Sequence, residues 1–136
     1  MHLSTDTEAR GLVTMLLKMR RNPELYIGKK DIQHLMLYIN GYTYATFELG
    51  WVFPQDLLFE EFNEWYLKRH RAKDFHSALV CIHYKHLKDP AGAVDIYFQA
   101  WDKFWEMKTA KMSEQDILAM LTQPPDTTSF PPILYI

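Results

Sequence analysis

Apolar side chains recur every three or four residues along most of this chain, a spacing that predicts helices separated by short breaks. From Thr5 to Arg21 the recurring positions are Leu12, Val13, Leu16, Leu17 and Met19, with Thr5 or Asp6 placed to cap the start. Lys18, Arg20 and Arg21 complement the dipole at the other end, and Pro23 stops the helix by pushing Asn22 out of helical geometry. Glu24 to Gly28 then reads as a short turn. Asp31 is a good cap for a second helix towards Leu49, with Ile32, Leu35, Met36, Ile39, Tyr42 and Ala45 as its inward stripe. Gly41 inside that helix costs about 1 kcal/mol relative to Ala, which suggests close approach of a neighbouring helix.

Gly50 ends the second helix, and Pro54 sits where the first turn of a third tolerates it. That helix runs to about Arg69, with Leu58, Phe59, Phe62, Trp65 and Tyr66 on one arc and Asp56, Glu60, Glu61 and Glu64 on the other. A fourth helix is expected from Lys73-Asp74 to Leu87, with Phe75, Leu79, Val80 and Cys81 or Ile82 inward, and Asp89-Pro90 opens a fifth carrying Val94, Tyr97, Phe98, Trp101, Phe104 and Trp105. Ser113 to Asp116 resembles a capping box ahead of Ile117, Leu118 and Leu121, which gives a short sixth helix. Pro124, Pro125, Pro131 and Pro132 exclude helix from the tail, whose last four residues are apolar enough to pack back as a strap.

The expectation is therefore an all-α, single compact domain of five to six helices: a helical core over 1–123 and an irregular Pro-rich tail over 124–136. Its core should contain Leu16, Ile39, Phe62, Trp65, Leu79, Phe98 and Trp101. Eight Tyr, eight Phe and four Trp supply enough apolar bulk without disulfides or metals. The single Cys81 forms no internal disulfide, and no leader-like or membrane-spanning apolar run is present, so a cytoplasmic location is expected. A net charge of −2 lacks the basic excess of a nucleic-acid binder.

No motif in the sequence carries catalysis, and no catalytic, metal or cofactor site is assigned. His76, His83 and His86 fall within eleven residues, with His76 and His83 two helical turns apart. They lack the His-x-x-x-His spacing and accompanying Glu of a helical zinc site and read as surface or hydrogen-bonded histidines. Cys81 lies among Leu79, Val80 and Ile82 with no activating base, as core filling. Gly-x-Ser-x-Gly, Walker and Gly-x-Gly-x-x-Gly motifs are missing. The basic run Leu67 to Lys73 reads as a helix C-terminus that satisfies its dipole. A small nucleic-acid-binding or hydrolytic enzyme is a lesser alternative, since a carboxylate pair such as Glu60 with Glu64 is spaced to share a proton. A self-associating helical scaffold is the main alternative.

The segment Met19-Arg20-Arg21-Asn22-Pro23-Glu24-Leu25-Tyr26-Ile27-Gly28, the later Gly41-Tyr42 pair and Phe62-Asn63-Glu64-Trp65 carry a resemblance. It resembles small bacterial proteins with an Arg-Pro-Gly-Met-Tyr-Ile-Gly phrase, then an amphipathic helix ending in Gly-Tyr, then an aromatic helix with Phe-x-x-Trp. Such proteins are similar to the immunity proteins of contact-dependent growth inhibition and related polymorphic toxin systems. The resemblance covers roughly the first half of the chain, and Asn22 and Glu24-Leu25 depart from it. It implies a stoichiometric inhibitor whose partner is a cognate toxin C-terminal domain; the charge and the lack of a spanning run lead to no nucleic-acid or membrane partner being expected. A basic nuclease cleft would be met by Asp56, Glu60, Glu61 and Glu64, and secondarily by the tail near Phe130 and Tyr135. Tyr-Ile-Gly also occurs in gyrase-type ATPases, but the Asp-x-Gly-x-Gly loop those require is missing and Asn40-Gly41-Tyr42 has no neighbouring Asp. Tyr26 and Ile27 are expected to plug into the core.

Overall fold

The computed structural model describes residues 11–127, and these form a mostly helical single domain. In chain order the elements are α1 (Leu12–Met19), α2 (Glu24–Ile27), α3 (Ile32–Leu49), β1 (Trp51–Val52), α4 (Asp56–Arg69), α5 (Ala78–Lys85), α6 (Pro90–Thr109), α7 (Glu114–Thr122) and β2 (Asp126–Thr127). The seven helices among the described residues exceed the expected six because Glu24–Ile27, read as a turn, closes one helical turn ended by Gly28. Gly28 takes φ 78°, a conformation that glycine adopts without steric cost.

Local chemistry explains most boundaries. Asp31, Ser77, Asp89 and Ser113 each accept a hydrogen bond from a backbone N–H in the first turn of α3, α5, α6 and α7. Pro90 occupies the first position of α6, where no amide partner is lost. Helix α5 is shorter than expected. Lys73 to His76 lie outside it because Ser77 caps a helix that starts at Ala78, and the buried Asn63 side chain fixes that start by accepting from the Ala78 N–H at 3.0 Å. At the end of α4, Ala72 N–H bonds the Leu67 carbonyl and Arg71 N–H the Lys68 carbonyl, a Schellman arrangement that places Arg71 at φ 52°.

The core lies where α4, α5 and α6 meet beneath α1 and α3. Phe62 is fully buried, stacks on Trp101 with ring centroids 4.1 Å apart, and meets Tyr97 and Phe104 edge-on at 5.6 and 5.7 Å. Leu16, Ile39, Leu79, Phe98 and Trp101 are buried as expected, and Cys81 is a buried free thiol beside Ile82. Trp65 is only half-buried: its inner side meets Phe62 and Phe104, while Arg69 lies 5.4 Å above its ring. Tyr26 is exposed rather than plugged inward, and only Ile27 of that phrase packs against the core. The Arg20–Asp102 and Lys30–Asp95 pairs tie α1 and the α2–α3 turn to α6.

The start of α1 is held from a distance. Gly11, at φ 112°, precedes it without a capping side chain of its own; the Thr5 and Asp6 cap lies outside the described residues. The Asp56 carboxylate accepts from Leu12 N–H at 2.9 Å and the Gln55 amide oxygen from Thr14 N–H at 2.8 Å. The Gln55 amide nitrogen in turn donates to the Leu121 carbonyl at 3.0 Å. A Cβ at position 11 would come within 2.5 Å of the Gln55 side chain, so glycine is needed there for space as well as for φ. Next to this junction, β1 and β2 pair antiparallel with Trp51 opposite Thr127, the small exception to an otherwise helical chain.

Candidate protein-binding surfaces

Four carboxylates on α4 were expected to share one face, and they take three different roles. Asp56 belongs to the fold: it caps α1 and accepts from the Tyr42 hydroxyl at 3.2 Å. Burial pushes its carboxyl above the ordinary 3.8, a rise offset in part by the Leu12 N–H and the Tyr42 hydroxyl. The same contact, with burial as the larger cause, holds the Tyr42 phenol well above its usual range. Glu61 pairs with Lys108 of α6 at 2.6 Å, an exposed bridge worth about 0.2–1 kcal/mol. Glu60 and Glu64 are exposed one turn apart and have no ion pair among the described residues. Phe130 and Tyr135 lie outside the described residues.

The outward arc of α4 therefore runs Leu57, Glu60, Glu61, Glu64 and Lys68, all exposed. Asp56 stands within about 40° of Glu60 on the helix, and what sets it apart is its place as the first residue of α4, where the Leu12 N–H and the Tyr42 hydroxyl engage its carboxylate. Leu57 is 63% exposed on the same arc. An isolated exposed leucine carries no signal until the position of its neighbours is known.

A second surface lies on α3. Its buried stripe is narrow, only Ile32, Leu35 and Ile39, with Met36, Tyr38 and Tyr42 beside it. Ala45, expected inside, is exposed. Gly41 is exposed too, and a Cβ built there meets nothing within 4 Å, so no neighbouring helix approaches it. It sits on the side opposite Ile39 with Leu37 and Tyr44, and Phe47 borders them one turn on from Tyr44; these three are each about 70% exposed. Compared with known proteins, the chain matches no family model, no curated protein and no solved structure.

The remaining candidate chemistry is dispersed. His76 is exposed in the loop before α5, His83 lies within the helix and His86 caps its end, so the expected two-turn register of His76 and His83 on one helix is not formed. No group of three or more His, Cys, Asp or Glu comes together among the described residues. In the basic run, Arg69 covers Trp65, His70 stacks on Tyr66 at 4.1 Å and Arg71 shapes the turn, which makes the run a helix terminus. Desolvation, then the nearby Lys85, Arg69 and Lys103, lower the His70 pKa. No described helix is long and apolar enough to cross a membrane.

Proposed function

We propose that this chain is an immunity protein that binds a cognate bacterial toxin domain in the cytoplasm of the producing cell and neutralises it by covering its active site. It acts by occlusion and performs no chemistry of its own. The observation that carries this reading is the outward arc of α4, where Glu60 and Glu64 stand exposed beside Leu57 on a helix whose inner side is fixed by the Phe62–Trp101 stack. A rigid helix presenting carboxylates suits a basic partner, because complementary fields speed encounter and set orientation. A nuclease has such a cleft for phosphate, and carboxylates can occupy it as phosphate mimics. Leu57 supplies the apolar anchor that interfaces place near their centre. The elements of the resemblance support the reading: Gly28 ends the Tyr-Ile-Gly turn, Tyr42 buttresses Asp56, and Phe62 and Trp65 face inward from α4.

The test is to read the neighbouring reading frame for a secreted protein with a variable C-terminal toxin domain, to co-express that domain with this chain, and to titrate the purified pair. Protection and a complex at micromolar concentration or tighter are expected. Leu57→Asp should weaken binding at least tenfold through dissociation, and reversing Glu60 and Glu64 to lysine should slow association and flatten its salt dependence. No protection and no complex would overturn the function. A complex indifferent to all three substitutions would move the interface off α4.

A further inference from the structure

The exposed side of α3 has an unusual make-up for a surface helix. In its 18 residues the only Asp, Glu, Lys or Arg is Glu48, whereas α4 and α6 carry many charges on their outer faces. The outward seam runs His34, Leu37, Gly41, Tyr44 and Glu48, spaced three, four, three and four as in helices that pair along their length. We propose that this seam is a self-association surface, on which two copies of the chain pair their α3 helices antiparallel about a two-fold axis at Gly41.

Three observations select a second copy as the occupant. Gly41 lies at the middle of α3, exposed and with open space around its Cα, so two backbones can approach closely there. Antiparallel pairing about that point sets Leu37 against Tyr44 and Ala45 of the second copy, a bulky residue against a mixed pair of large and small. It also sets His34 against Glu48 of the second copy, because each lies seven residues from Gly41 in opposite directions. These are the only two acid–base side chains on the seam, and the symmetry brings them together twice. His34 donates Nδ1–H to the Ile27 carbonyl at 3.0 Å, and as an imidazolium it has Nε2–H to donate to the Glu48 carboxylate of the second copy. Glu48 is approached by the Tyr44 hydroxyl.

The area also fits. An aromatic side chain offers roughly 150–250 Å². With Leu37, Tyr44 and Phe47 about 70% exposed, the apolar surface is on the order of 400 Å². That is about half of an interface burying about 800 Å² per partner, close to the usual apolar share. A face with a single carboxylate lets two copies of net charge −2 meet without like-charge repulsion.

Sedimentation equilibrium of the full chain at tens of micromolar is expected to give twice the chain mass of 16.2 kDa. Gly41→Arg should give a folded monomer whose melting temperature no longer depends on protein concentration, because the position is open and Arg favours helix over glycine. Glu48→Arg should weaken the dimer at least tenfold, and adding His34→Glu should restore it. A wild-type monomer would overturn the proposal, as would a dimer unaffected by Gly41→Arg. Should α3 amides in a monomer gain exchange protection only when a different protein is added, the face belongs to that partner and the proposal fails. Toxin neutralisation through α4 is read separately, by protection in cells, and stands or falls on its own.

Discussion

The Asp56 carboxylate caps α1 by accepting from the Leu12 backbone N–H at 2.9 Å, across 44 residues of sequence. Asp56→Ala should cost about 1–2 kcal/mol, because it strips the cap and leaves the Tyr42 hydroxyl without its acceptor. Asp56→Asn should cost much less, since the amide oxygen still accepts. The pH dependence follows from burial, which raises the folded pKa above 3.8. The folded state then holds the proton more tightly than the unfolded chain, so this group's contribution is present at low pH and lost as pH rises through the raised value. Urea denaturation of both proteins from about pH 3 to 6 should show the wild type losing ground to Asp56→Asn.

Burial separates two tryptophans that look alike in sequence. Trp101 is 3% exposed and stacked on Phe62, so Trp101→Ala should destabilise by about 3–5 kcal/mol. Trp65→Ala should cost about half that, because its outer side meets only Arg69 and water. Thermal melts compared at one reference temperature would rank them, and the reverse order would refute the packing described for α4.

Arg71 occupies the left-handed position that ends α4, where a side chain is strained and glycine is not. Arg71→Gly should stabilise the protein by about 0.5 kcal/mol, the net of relieved strain and added unfolded-state entropy. A lower denaturation midpoint would mean that the Arg71 side chain makes a contact worth more than the strain.

The sequence announced the long helices because each signal acted locally. Asp31, Asp89-Pro90 and Ser113 cap within a few residues, and the apolar spacing of Phe62, Tyr66, Phe98 and Trp101 follows from helix geometry alone. What it concealed depends on distant partners. Nothing near Asp56 reveals that its carboxylate turns to α1, so it read as one more acid on an acidic face. Gln55 and Asn63 are buried polar residues whose partners, Thr14, Leu121 and Ala78, are remote in sequence, and neither residue type is distinctive. Gly41 misleads because a helical glycine marks only a missing side chain, and nothing within 4 Å takes up the space it leaves.

The Gln55 amide closes two loops at once, one reaching back 41 residues to Thr14 and one forward 66 residues to Leu121. Loop-closure entropy grows only with the logarithm of length, yet each contact needs elements remote in sequence to have met, so both are expected to form after the helices have packed. Gln55 then acts as a latch on the rate of unfolding rather than a seed for folding. Stopped-flow measurements on Gln55→Ala should show unfolding accelerated with the folding rate almost unchanged, a φ-value near zero. The working lifetime of the domain should thus depend on this three-way knot, two turns along the chain from the Phe62 of the aromatic stack.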